Sequence, residues 1–229
     1  KAAREAARQT ACRGCLSQLM MALRNYHDIY ESFPPAYVAD ADGRPMHSWR
    51  VLILPFIDGQ DIYREYRFDE PWNSPHNEEL ARRHPLFTWR CPSHQPDEDV
   101  LRTDYVVITG PGTPFPGEGS TTLENFADGP ENTILLAEIA NSDIHWMEPR
   151  DLRIDQMSFR LNDPTRPSIS SPHPLGPGVV FADRITSYRL DASLQPETVK
   201  TLITIAGGER VSKDDLHKPN QQSHFRLGE

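Results

Sequence analysis

The residues able to do chemistry in this chain are few and scattered. Cysteines stand at Cys12, Cys15 and Cys91, and the last opens a Cys-Pro-Ser-His run ending at His94. An odd count in an exported protein allows at most one internal bridge and leaves a thiol over. The same residues offer a second chemistry. Cys12-x-x-Cys15 with Cys91 and His94 makes a set of three sulfurs and an imidazole, the donor types of a structural zinc site. Helical spacing would put the first pair on one face, so that geometry is open.

His145-Trp146-Met147-Glu148, with His173 and Asp183, holds the ingredients of a metal or acid–base site. Its spacing matches no zinc-protease signature such as H-E-x-x-H, and it falls in a predicted loop. Histidines and carboxylates tying loops to a sheet are the plainer account. Thr109-Gly110-Pro111-Gly112 is glycine-rich but lacks the Lys-Ser/Thr pair that makes a phosphate loop. No Gly-x-Ser-x-Gly elbow is present. The chain is therefore expected not to be an enzyme, and to hold neither cofactor nor metal.

Trp49 and Trp89 are expected in the core. Trp72, in FDEPWNSP, and Trp146, in IHWMEP, fall in loops. Aromatics with a polar handle suit a glycan face or a protein contact, whereas buried loop anchors are the commoner use. Trp72, His145, Trp146 and Glu148 are accordingly the candidate ligand-binding set, for a glycan or small solute.

The element that must position everything else is the opening stretch from Lys1 to Phe33. Cys12, Cys15, Leu16, Leu19, Leu23, Tyr26, Tyr30 and Phe33 recur in three- and four-residue steps, the pattern of one helical face on a core. Before Cys12 no such face exists. Ala2, Ala3, Ala6, Ala7 and Ala11 alternate with charged residues, giving helix propensity with little to bury. A helix of that length would run about 45 Å at 1.5 Å per residue. Its first half is expected to project from the body.

AAREAAR, Cys12 and LSQLMMALRNYHDIYESFPPAY, followed by HSWRVLILPFI, FDEPWNSPHN, CPS, DGPENTILLAE, IHWMEPRDL and GVVFAD, resemble the DUF1559 family over nearly the whole chain. These are type IV pilin- or pseudopilin-like proteins of planctomycete bacteria, a family that has also carried a solute-binding label. The resemblance implies an α+β, pilin-like fold, with the long N-terminal helix packed across an antiparallel β-sheet and additional short helices and long loops. It implies a basic leader and an apolar segment of about twenty residues upstream, the length a membrane-spanning helix needs. Within the chain, runs such as VLILPFI and TILLA are too short for that role. Glu5 is not the buried glutamate near a mature pilin's first residue, which would lie upstream. The resemblance also pairs Cys12 with Cys91, a bridge of stalk to head that would contribute about 4 kcal/mol in the chain-entropy model. Cys15 departs from the family, which tends to have a polar residue there. An oxidising compartment disfavours zinc.

Charge is uneven. Residues 1–24 carry five basic side chains and one acid, a balance of +4, which leaves −13 to the rest of a total of −9. An acidic head argues against nucleic acid, whose phosphates call for Lys and Arg. The basic stalk suits anionic lipid or a solvated helix surface equally.

Further along, ADADGRP reads as a hairpin loop, Ser48 as the cap of a second helix split at Pro55, and Ser74-Pro75 as the start of a third. FTWRC, TDYVVIT, NTILLAEIA, GVVFA and ITSYRL read as strands. GPGTPFPGEGS reads as a surface loop, and SFRLNDPTRPSISSPHPLGPG as a second long one. Asp183-Arg184 makes a poor two-residue hairpin turn, because arginine disfavours positive φ. Pro196 opens a last helix stopped by Gly207-Gly208. The expected organisation is a stalk helix over 1–33, an α+β head over 34–212 and a mobile tail over 213–229.

Two functions follow. One is a structural subunit outside the cytoplasmic membrane, periplasmic or at the cell surface. It would be anchored by an upstream apolar helix, with Ala3, Ala7 and Ala11 giving close helix contacts to like or related subunits. The other is an exported solute- or glycan-binding module.

Overall fold

The structure is a computed structural model and describes residues 2–93, 100–183, 187–207 and 216. Its spine is α1, Ala2–Tyr30, a helix of 29 residues. Cys12, Leu16, Leu19 and Leu23 are fully buried along it, as the three- and four-residue steps predict; Met20 joins them, whereas Tyr30, expected on that face, is 56 % exposed at the helix end. Ala3, Arg4, Ala6, Ala7, Arg8, Thr10 and Ala11 are exposed. The first half is not wholly free, however. Glu5 and Gln9 are half-buried, and Glu5 Oε1 lies 2.7 Å from His173 Nδ1. The head therefore touches one edge of the projecting half from its first turns. Glu31 ends the helix in the left-handed region, at φ 58°.

Strands β1 (Tyr37–Ala39) and β2 (Pro45–Ser48) form the expected hairpin, with Gly43 at its tip at φ 79°. The Ser48 hydroxyl caps α2 (Trp49–Leu52), accepting from Arg50 N at 3.2 Å. Pro55 then splits the helical run: a 3-10 turn, Leu54–Phe56, intervenes before α3 (Gln60–Glu65). Helix α4 (Pro75–Arg83) starts on the Ser74 cap, which accepts from Asn77 N at 3.2 Å. FTWRC is not a strand. Phe87–Trp89 is a 3-10 turn, and it puts Phe87 at 70 % exposure while Trp89 is at 0 %. A strand would have placed both residues on one face.

The strands that follow are β3 (Tyr105–Val106), β4 (Ile108–Thr109), β5 (Ile134–Glu138), β6 (Leu152–Arg153), β7 (Gly178–Phe181) and β8 (Ser187–Arg189). Four of them make an antiparallel sheet in the order β3-β5-β7-β8, and β4 pairs parallel with β6. Period-two alternation divides the core. Val180 and Leu136 join α1 on one side; Val179, Phe181 and Ala137 join Val199 and Leu202 of α5 (Pro196–Leu202) on the other. That central sheet is buried on both faces, which is why β5 reads as apolar from Ile134 to Ala137.

Three expectations need correction. The GPGTPFPGEGS loop is not all surface: Phe115 is fully buried, its ring 6.4 Å from that of Trp49. Helix α5 ends at Leu202, short of the glycine pair. Leu216, within the predicted mobile tail, is buried, and its carbonyl accepts from Asp191 N at 3.1 Å. The rest of that tail lies outside the described residues, as do His94 and Arg184. The described pairs of β7 and β8 run from Gly178 with Arg189 to Val180 with Ser187, and the turn at Asp183-Arg184 lies partly outside the described residues.

Candidate functional site

Where α1 crosses the sheet, four segments deliver four donor side chains to one place. Cys12 comes from α1, Cys91 from just beyond the Phe87–Trp89 turn, Glu138 from the end of β5, and His173 from the long loop before β7. All four are buried, and one donor atom from each lies within 4.8 Å of the others. Cys12 Sγ stands 2.5 Å from Glu138 Oε1, and Cys91 Sγ 3.2 Å from His173 Nε2. The helix comes this close because Gly178 leaves room. A Cβ there would sit 2.6 Å from Leu16 Cδ1 and 3.2 Å from Glu138 Oε2.

Outside these four, a second layer of contacts fixes each donor. His173 Nδ1 pairs with Glu5 Oε1 at 2.7 Å, which turns Nε2 inward. Glu138 Oε2 accepts from Gly178 N at 2.6 Å and from the Arg189 guanidinium at 2.9 Å, leaving Oε1 to face Cys12. The Cys91 amide donates to Asp104 Oδ2 at 2.6 Å, and the Tyr105 hydroxyl donates to Cys12 Sγ at 3.4 Å.

These contacts divide the protons. The neighbouring Cys12 thiol, more than the His173 partner, holds Cys91 well below the usual thiol range against the cost of burial. Cys12 is pushed up by its contact with Cys91, by burial and by Glu138. Burial opposes charging of His173, but Cys91 and Glu5 outweigh it and raise the imidazole. The hydrogen bond from His173 lowers Glu5. The cluster thus sets one sulfur against the Glu138 carboxyl group and the other against the His173 imidazole.

Cys12 and Cys91, the pair implied by the family resemblance, do meet here, with both sulfurs as free thiols. Cys15 stands apart, half-buried, with Sγ 4.0 Å from the Arg90 carbonyl. Among the described residues, the donors that join Cys12 and Cys91 are Glu138 and His173, and Cys15 is not one of them. Spacing could not reveal them, because they are far apart in sequence. The available signal was an acidic residue closing the otherwise apolar ILLAE strand.

The set Trp72, His145, Trp146 and Glu148 is only partly assembled. Trp72 and His145 rings lie 5.2 Å apart, both half-buried. Trp146 is instead fully buried and stacked on Trp89, with ring centres 6.0 Å apart and planes 9° from parallel. It presents no face to a ligand, which corrects that expectation. Glu148 accepts from Arg150 at 2.7 Å and 3.1 Å, and His145 Nδ1 accepts from Met147 N at 3.1 Å. A cleft of about 670 Å³ beside the hairpin, lined by Tyr37, Pro45, Gly117, Pro149 and Arg153, includes none of the four.

Arg50 and Asp151 form a pair that sequence reasoning missed. Both are buried, 2.5 Å apart, and Arg50 also donates to the Tyr105 carbonyl at 3.1 Å. Burial pushes Asp151 up to about 6 despite the guanidinium, and burial likewise lowers Arg50. The pair ties α2 to the segment leading into β6.

Among the described residues, no helix is long and apolar enough to cross a membrane. Residues 1–223 match a family model described as a protein of unknown function, DUF1559. No curated protein and no solved structure matches the chain.

Proposed function

We propose that this chain, which belongs to the DUF1559 family, is a pilin- or pseudopilin-like structural subunit and not an enzyme. Its head would be displayed outside the cytoplasmic membrane, and an apolar extension of α1 would anchor it there. One observation carries this reading: the division of α1 into a half locked on the sheet and a half with an exposed alanine row. Ala3, Ala7 and Ala11 lie one turn apart and are all exposed. A row of small residues lets a second helix approach closely. Leu16, Leu19 and Leu23 hold the other half to the head, so a load on the free end would pass into the sheet.

The test uses the full-length gene product in its own cells. The protein is expected in the membrane fraction, with its head cleaved by protease added outside the cytoplasmic membrane. Deleting the sequence upstream of residue 1 should release it. Recovery in the soluble cytoplasmic fraction with the upstream sequence intact would refute the reading.

A further inference from the structure

We propose that Cys12, Cys91, Glu138 and His173 form a closed four-ligand site for a divalent cation of zinc type, which fastens α1 to the head. This departs from the expectation of no metal and, in leaving out Cys15, from the zinc set of Cys12, Cys15, Cys91 and His94, whose histidine lies outside the described residues. It rests on the cluster alone and stands whether or not the subunit assembles.

Two sulfurs, one imidazole nitrogen and one carboxylate oxygen are the ligand types zinc takes in tetrahedral sites, at about 2.3 Å for sulfur and about 2.0–2.2 Å for nitrogen and oxygen. Two soft sulfurs disfavour magnesium and calcium, which prefer oxygen. A tetrahedron with those bond lengths has edges of roughly 3.3–3.8 Å. Atoms already within 4.8 Å of one another need only small movements to reach them. Cys12 Sγ and Glu138 Oε1, now 2.5 Å apart, would separate by about 1 Å to admit the ion.

The second layer points the same way. A metal-bound histidine characteristically hands its other ring nitrogen to a carboxylate, which fixes the tautomer and aims the free lone pair. Glu5 does this to His173 at 2.7 Å, and Glu5 sits on the otherwise free half of α1. Glu138 is likewise held by its outer oxygen, through Gly178 N and Arg189. Two thiolates and a carboxylate carry three negative charges, which a divalent ion and the Arg189 guanidinium on Glu138 offset within the ligand set. Four protein ligands leave no open position for substrate, so the site is structural, not catalytic.

The experiment uses the reduced 229-residue chain, stripped with chelator and then offered zinc or cobalt in limiting amounts. One zinc per chain is expected by elemental analysis. Cobalt should give the strong visible bands and sulfur-to-cobalt charge transfer of a tetrahedral thiolate site. Cys15→Ser should bind as the wild type does, whereas Cys12→Ser and His173→Gln should lose the sulfur-cobalt spectrum or the stoichiometry. Because those two variants can fail to fold, Glu5→Gln provides the independent arm. It changes a partly exposed helix residue outside the ligand set, and should weaken zinc affinity about 10–100-fold with the fold intact. No metal taken up by reduced, folded protein overturns the proposal. So does binding that survives Cys12→Ser unchanged, or a purified wild type whose mass and reductant sensitivity show a Cys12–Cys91 disulfide in every chain.

Discussion

Gly178 and Leu16 give the sharpest test of how α1 is seated. In Gly178→Ala the new Cβ would lie 2.6 Å from Leu16 Cδ1 and 3.2 Å from Glu138 Oε2. The first separation is well inside van der Waals contact, and the helix is held there by Leu19, Met20 and Leu23, all fully buried. Overpacking of this kind costs about 1–3 kcal/mol. Leu16→Ala alone should cost about 2–5 kcal/mol, since Leu16 is fully buried and its removal leaves a cavity. Combining them removes the closer of the two contacts, because Leu16→Ala deletes the methyl that the new Cβ meets, and leaves only the 3.2 Å approach to Glu138 Oε2. Gly178 is not among the residues at positive φ, so alanine carries no left-handed strain there. The double variant should therefore be more stable than the sum of the two losses by about 1 kcal/mol or more. Denaturant unfolding of the four proteins at constant m-value measures this coupling. Additivity within about 0.5 kcal/mol would show that α1 does not pack on β7 as described.

Other outcomes follow from the same packing. Asp151→Asn leaves the Arg50 charge buried without its counter-ion and should cost about 3–5 kcal/mol in chemical denaturation. Asp151 has a folded pKa near 6, above its usual 3.8, so the native state binds its proton more tightly than the unfolded chain does. This group's contribution therefore falls as pH rises from about 4 to about 6, and the wild type's stability should drop more steeply across that window than that of Asp151→Asn. Trp146→Ala should cost about 3–5 kcal/mol, while Trp72→Ala, at a half-buried position, should cost clearly less; equal losses would contradict the burial assigned to them. A thermal-shift screen of glycans should show no stabilisation. A true ligand at a hundred times its dissociation constant would add about 2.7 kcal/mol, and such a shift abolished by Trp72→Ala would revive the binding module.

Much of the fold could be read from local signals. Caps at Ser48 and Ser74 and the break at Pro55 act within a few residues, and the structure places them where the sequence does. The apolar steps from Cys12 to Leu23 name the buried face of α1 because helical period converts directly into burial. What failed was long-range. Phe87 and Trp89 have strand-like spacing, yet the stacking of Trp89 on Trp146 fixed a turn. Phe115 was hidden inside a run of glycines and prolines that read as surface. The site failed for the same reason. Glu138 and His173 join the cysteines only after β5 and β7 pair and α1 is laid across them. Arg50 was illegible because a buried arginine needs Asp151, a hundred residues away, before its position makes physical sense.

An assembling subunit must bring the exposed alanine row of α1 against another helix. A photo-crosslinking residue placed at Ala7 in the full-length protein, in its native cells, reads this directly, with Asn25 as the control. Asn25 is also exposed but lies on the half of α1 bound to the head. The expected result is a crosslink from position 7 to a second copy or a related pilin-like subunit, and none to such a protein from position 25. Silence at position 7, with the protein present and membrane-bound, would contradict the assembly role.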